Sequence, residues 1–167
     1  MSVGAGRDFG HPGKRKSQPF PRSIEAQVAP LTLAALRVTA GALFLGHGLV
    51  NVIGFPAGAQ PGVQPLLSLF GSAGVVEIVT GLLLIIGLLT RLAAFVASGE
   101  MAIGYWLVHA PLSFYPAVNG GDAAILFSFI FLHIAAVGPG AFSIDGLLSR
   151  RVDARIGFTV PIVSNAP

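Results

Sequence analysis

The sequence predicts an all-α fold: a bundle of four transmembrane helices with both termini cytoplasmic and a short C-terminal interfacial helix. Three observations predict it. The 167 residues are 53% hydrophobic and only 10% charged, with mean hydropathy +0.78, whereas soluble domains carry about 25% charged residues. The apolar residues gather into four runs, each close to the roughly 20 residues that a helical span needs. The basic residues mostly flank those runs: Arg7, Lys14, Arg15, Lys16 and Arg22 precede the first, Arg91 lies in a turn, and Arg150, Arg151 and Arg155 follow the last.

Residues 1–29 are rich in Gly, Pro, Ser and charge, and read as a disordered basic N-terminal tail. The first span covers about Leu31 to Ile53, too long for a signal-peptide core and without a small-x-small cleavage site, so it is expected to stay uncleaved. Phe55 to Ser68 contains Pro56, Pro61 and Pro65, which resist helix and predict an irregular loop. The second span runs from about Leu69 to Leu89. Gly87-Leu88-Leu89-Thr90-Arg91 forms a tight hairpin into the third, Arg91 to about Ala110, and Tyr105, Trp106 and Tyr115 supply an interfacial aromatic belt near its end. Asn119-Gly120-Gly121-Asp122 opens the fourth span, about Asp122 to Val137, with Asp122 a good N-cap. Gly138-Pro139-Gly140 breaks the chain, Ser143 to Gly146 restarts it, and Gly146 to about Ile156 should lie along the inner membrane surface. The division is therefore a membrane domain over 30–148 and a basic C-terminal tail over 149–167.

Topology follows from the connections. The tails and the Arg91 turn are basic, whereas 55–68 and 111–121 contain no Lys or Arg, so the latter face outside in a multi-pass protein of the cell membrane. Nucleic-acid binding is excluded in practice, because the net charge of +3 comes from flanking residues and not from a patterned surface. No cysteine is present, which excludes a thiol-disulfide relay and any thiolate-held zinc or iron-sulfur centre.

Six ionisable residues interrupt the apolar runs: Arg37, His47, Glu77, Glu100, His109 and His133. A charge at mid-bilayer costs about 2.5–3.5 kcal/mol on insertion scales unless it faces protein or water, so each is a candidate functional residue. At about 1.5 Å per residue, Arg37 sits roughly 9 Å into the first span, His47 a further 15 Å outward, Glu77 roughly 12 Å deep from the outside and Glu100 roughly 13 Å above Arg91. His47, Glu77 and His109 thus share the outer half, Glu100 and His133 lie centrally, and Asn119 and Asp122 close the outer mouth. Gly74, Glu77 and Gly81 share one helical face, as do Ala93, Ala97, Glu100 and Gly104, and as do Arg37, Gly41, Phe44 and Gly48. Small-residue stripes let helix backbones approach in a bilayer, which turns both acids into the bundle.

Structural roles compete with functional ones at every position. Arg37 could pair with Glu77 or Glu100 and merely offset their insertion costs. Alternatively, its planar donors suit an anionic headgroup, a sulfur oxyanion or a quinone carbonyl. Glu77 is either a hydrogen-bonded bundle residue or a proton carrier, and the competing role for His109 is simple interfacial hydrogen bonding. Haem is disfavoured, since no helix pair offers stacked histidine pairs and Cys-x-x-Cys-His is absent.

The order and spacing of several motifs resemble the DoxX family: Arg37 with Ala40-Gly41, Phe44 and His47-Gly48; Gly74-Val75-Val76-Glu77 to Gly81-Leu82-Leu83; Gly87-Leu88-Leu89-Thr90-Arg91-Leu92-Ala93-Ala94; Asn119-Gly120-Gly121-Asp122; and Gly140-x-x-Ser143-x-Asp145. The resemblance covers about 31–148. It implies a small four-helix membrane component of oxidoreductase systems, linked to quinone-dependent sulfur-compound oxidation or to oxidative and quinone stress. Asp122 stands where Glu is common, and Asn51 near where a basic residue often follows His-Gly, which questions any role needing a cation there. The expectation is therefore a quinone-linked redox component in which Glu77 and His47 handle protons. Arg37, Glu100, His109, Asn119 and Asp122 bind substrate, no metal is held, and a protein partner supplies electrons. The alternative is a small proton-coupled transporter, or a non-catalytic assembly or scaffold subunit.

Overall fold

The computed structural model describes residues 22–156, which are helical with no strand among them. In chain order the helices are α1 (Arg22–Ile53), α2 (Leu69–Ile86), α3 (Thr90–Gly104), α4 (Pro116–Asn119), α5 (Asp122–Val137) and α6 (Ile144–Ile156), and a π-turn, Tyr105–His109, continues α3. Ala26–Ile53, Leu69–Ile86 and Thr90–His109 are long and apolar enough to cross a membrane, and Asp122–Val137 is a shorter apolar helix. Residues 1–21 and 157–167 of the two expected tails lie outside the described residues.

The first helix begins at Arg22 and not at Leu31, so it takes in the last residues expected in the tail. Ile24 to Ala29 contain no glycine or proline, and Pro30 sits inside the helix. An interior proline costs about 3 kcal/mol in water, but such breaks are tolerated in apolar helices where neighbours take up the freed backbone groups. Separately, the Pro30 carbonyl accepts from Ala141 N–H at 3.0 Å, which ties the break after α5 to α1. Elsewhere the ends fall close to expectation. Ser68 Oγ accepts from Gly71 N–H at 3.1 Å to start α2, and Gly87, at φ 70°, ends it.

The helices associate in two pairs, α1 with α2 and α3 with α5, and contacts between the pairs are sparser. The first pair meets through glycines. A Cβ on Gly48 would lie 2.6 Å from the Gly74 carbonyl oxygen, and one on Gly81 would lie 2.8 Å from Leu45 N, so both stripes are in backbone contact. The second pair is clamped by serines: Ser98 Oγ donates to Ser128 O at 2.8 Å, and Ser128 Oγ donates to Ser98 O at 3.2 Å. Where all four helices meet, Phe44, Leu84, Ala94, Ala97, Phe131 and Ile134 form the core. That core lies toward the α2–α3 turn, here the hairpin end; the opposite end carries residues 54–68 and 110–121 and is the loop end.

At the hairpin end Leu89 adopts a left-handed φ of 48°, a conformation that costs a side-chain-bearing residue about 1–2 kcal/mol. Asp145, from the first turn of α6, holds it there. Its carboxylate accepts from Leu89 N–H at 2.9 Å and Thr90 N–H at 2.8 Å, capping α3 from another element. Partial burial pushes this carboxyl up, but those N–H donors and the nearby Arg37 charge outweigh burial and hold it below the ordinary carboxylate range. A depressed folded-state value means that the contribution is complete above the unfolded value of about 3.9 and is lost as the pH falls through and below it. Asp145→Ala is expected to cost about 1 kcal/mol, as cap removal does, and to abolish this acid-dependent part of thermal stability in detergent.

Candidate functional site

Two polar constellations occupy opposite ends of the bundle. At the hairpin end Arg37 is completely buried. Its Nε donates to Pro139 O at 2.9 Å, Nη1 donates to Leu84 O and to Ile85 O at 3.0 Å, and Nη2 donates to Ala141 O at 3.4 Å and Phe142 O at 3.0 Å. A guanidinium has five N–H groups, and all find backbone carbonyls. Two of those carbonyls belong to the last turn of α2, where helices leave acceptors unpaired and favour a cation. The alternative in which Arg37 pairs with Glu77 or Glu100 is not what the structure shows: its donors go to backbone carbonyls at helix ends, and it does not line the loop-end cavity. Arg91 does the same for α5, donating to Ala135 O at 2.9 Å, Ala136 O at 2.5 Å and Val137 O at 3.1 Å.

At the loop end a cavity of about 820 Å³ lies between the helix pairs, lined by His47, Asn51, Glu77, Glu100, His109 and Phe127 among mostly apolar neighbours. Its volume is that of small-molecule sites, about 300–1,000 Å³. α1 contributes His47 and Asn51 from successive turns, α2 contributes Glu77 beside the glycine stripe, and α3 contributes Glu100. His109 arrives on the π-turn, where Ala110 N–H bonds to Tyr105 O at 2.9 Å. The added residue in such a turn rotates the side chains beyond it relative to a regular helix, and turns of this kind recur at functional sites.

The two acids differ in support. Glu77 is 6% exposed, and its Oε2 accepts from Asn51 Nδ2 at 3.1 Å. Both Glu100 carboxylate oxygens are buried with no hydrogen-bond partner among the described residues. A buried, unpaired polar group costs about 1–3 kcal/mol, so Glu100 is a position that a ligand would relieve. His47 lies edge-on to Phe127, with centroids 6.2 Å apart. The ring of His109 stacks near Tyr105, and its Nδ1 lies 3.0 Å from Asn119 O. A carbonyl only accepts, so Nδ1 carries the proton and Nε2 is the free nitrogen of the neutral ring.

The remaining expected residues go elsewhere. Asn119 is buried but spends its side chain on the connection itself, donating to Ser113 O at 2.8 Å and accepting from Gly121 N–H at 2.7 Å. Its contribution to the cavity is indirect, through its carbonyl on His109. Asp122 is exposed and makes no cap, because Gly121 occupies the N-cap position. His133 is exposed on the outer face of α5 and not inside the bundle. Asn51 is the cavity residue that sequence reasoning treated only as a missing cation. Its spacing of four from His47 places both on one helical face, which was the available signal.

Residues 63–165 match the family model described as DoxD, TQO small subunit. An uncharacterized protein of Haemophilus influenzae is 40% identical over 129 residues, covering 73% of this chain and 94% of that protein. An uncharacterized membrane protein of Mycobacterium tuberculosis is 30% identical over 161 residues, covering 81% of this chain and 91% of that protein. No solved structure matches.

Proposed function

Since the chain belongs to the DoxD (DoxX-like) family of membrane proteins, we propose that it is a quinone-binding subunit of a membrane redox complex, with the quinone head in the loop-end cavity. One observation carries this: residues far apart in sequence, His47, Asn51, Glu77, Glu100 and His109, line a single largely apolar space. The fit is chemical as well as steric. Apolar walls suit a ring, and the unpaired Glu100 carboxyl is matched by a hydroquinone hydroxyl that donates to it or, when it carries its own proton, by a quinone carbonyl that accepts from it. Bound quinone provides two-electron, two-proton carbonyl-to-hydroxyl chemistry, with the electrons coming from a partner subunit.

The chain's own residues bind the head and move protons. Glu100 in its acid form donates to a quinone carbonyl, and His109 Nε2 accepts from a hydroquinone hydroxyl. Glu77 and His47 pass protons between them and the loop end, and Asn51 is a positioning residue that fixes the Glu77 carboxyl. Arg37 has no part in this, its donors being engaged at the other end. In the membrane α5 serves as the fourth span, and both termini are cytoplasmic. Arg91, Arg150 and Arg151 cluster toward the hairpin end while the connections at the loop end lack Lys and Arg, which supports an outward-facing cavity.

The test is quinone binding to the protein in lipid nanodiscs, together with quinone-linked turnover of the native complex. Glu77→Gln is expected to lower turnover on the order of 10²-fold, the scale of a lost proton-transfer group, with assembly intact. Glu100→Gln is expected to weaken binding about tenfold, the equivalent of 1.4 kcal/mol. Unchanged turnover in both variants would instead assign the subunit to assembly.

A further inference from the structure

A second feature lies against the cavity. Along the seam between α2 and α3 runs a purely apolar groove of about 320 Å³, walled by Val75, Val79 and Leu83 on one side and by Leu89 and Leu92 on the other. Val76 and Val96 line both the groove and the cavity, so the two spaces adjoin at these side chains. From Val76 to Leu83 the groove extends roughly 10 Å along α2, at 1.5 Å per residue.

The mouth of the cavity has the same character. Phe70 (43% exposed), Phe95 (64%) and Val96 (42%) line the cavity and also face outward from the helices. Gln60 and Pro61, from the 54–68 connection, line its loop end. Gly99 and Gly104 also line it, and a Cβ on either would meet nothing within 4 Å, so both positions face open space. The side of the cavity bounded by α2 and α3 is therefore rimmed by exposed apolar groups on helices that contact lipid.

Resting on the cavity assignment above, we infer that the α2–α3 groove is the exit path for the hydrocarbon tail of a lipid-soluble ligand whose polar head occupies the cavity, and that the ligand enters sideways from the bilayer. Affinity for hydrocarbon does not drive the tail into the groove, because lipid chains surround an alkyl tail as favourably as Val and Leu do. The groove instead gives the tail somewhere to lie while the head is seated. Blocking it penalises ligands with a tail and spares those without.

Two benzoquinones with one head, bearing a methyl or a decyl side chain, are titrated into the full chain in phosphatidylcholine nanodiscs, with concentrations expressed as mole fraction in the bilayer. Val79→Trp and, on the facing wall, Leu92→Trp each add bulk at positions that are 52% and 60% exposed, so at least one is expected to fold normally. Either is expected to weaken the decyl compound at least tenfold and to leave the methyl compound within twofold. Equal effects on both compounds, or no effect on either, would overturn the groove while leaving the cavity assignment standing. If neither compound binds the wild-type protein, the cavity assignment itself fails and the groove falls with it.

Discussion

Arg37→Leu is expected to destabilise the folded bundle by about 3–5 kcal/mol, the range for removing one member of a buried charge-assisted network. The wild-type guanidinium satisfies carbonyls of Leu84, Ile85, Pro139, Ala141 and Phe142. Leu84 O would keep Gly87 N–H at 3.2 Å, but leucine would leave the other four carbonyls without this donor, at about 1–3 kcal/mol for each that finds no water. Total stabilities of about 5–15 kcal/mol leave little after such a loss. Arg37→Lys keeps the charge but offers three donors in place of five, and is expected to fall between leucine and wild type. Thermal denaturation in detergent, followed by the monodisperse fraction, measures both. Whatever protein stays folded should bind quinone with wild-type affinity, because Arg37 does not line the cavity; a selective loss of binding in folded Arg37→Lys would restore the residue to substrate contact.

Gly99→Leu is expected to do the reverse, abolishing ligand binding while leaving the fold at least as stable. Gly99 lines the cavity next to Glu100, and its Cα faces open space. Replacing a mid-helix glycine gains up to about 1 kcal/mol of helix propensity, and the new side chain adds bulk in open space at the rim of the cavity. Binding in nanodiscs should weaken at least 100-fold, about 2.7 kcal/mol or more, with an unchanged or raised melting temperature. Gly48→Leu supplies the contrast. Its Cβ would strike the Gly74 carbonyl, so that variant should lose the α1–α2 contact and the fold together. Binding retained in Gly99→Leu would remove the cavity from consideration.

Much of the bundle was legible because its determinants are side chains. The glycine stripes on α1 and on α2 follow from spacing alone, and so does the inward turn of Glu77 and Glu100, whereas that the two stripes face each other does not. Arg37 was not legible in the same way. Its partners are backbone carbonyls, which every residue carries, so no residue type marks where they are left unpaired. Asp122 and His133 failed for a related reason. Depth along a helix was readable from counting, but rotation depends on which neighbour packs where, and α5 turns Phe131 and Ile134 inward while His133 faces out. The start of α1 was missed because Pro19 and Pro21 before it and Pro30 after it hid the eight residues 22–29, which are free of glycine and proline.

The pairing of α1 with α2 by glycine contact and of α3 with α5 by reciprocal serine bonds makes the molecule resemble a book with two stiff covers. The spine is the hairpin end, where Arg37, Arg91 and Asp145 stitch helix ends together across the fold. The fore-edge is the loop end. A small opening of the covers there would enlarge the space between them without breaking a contact inside either one, so capacity for a guest is decoupled from the integrity of its host.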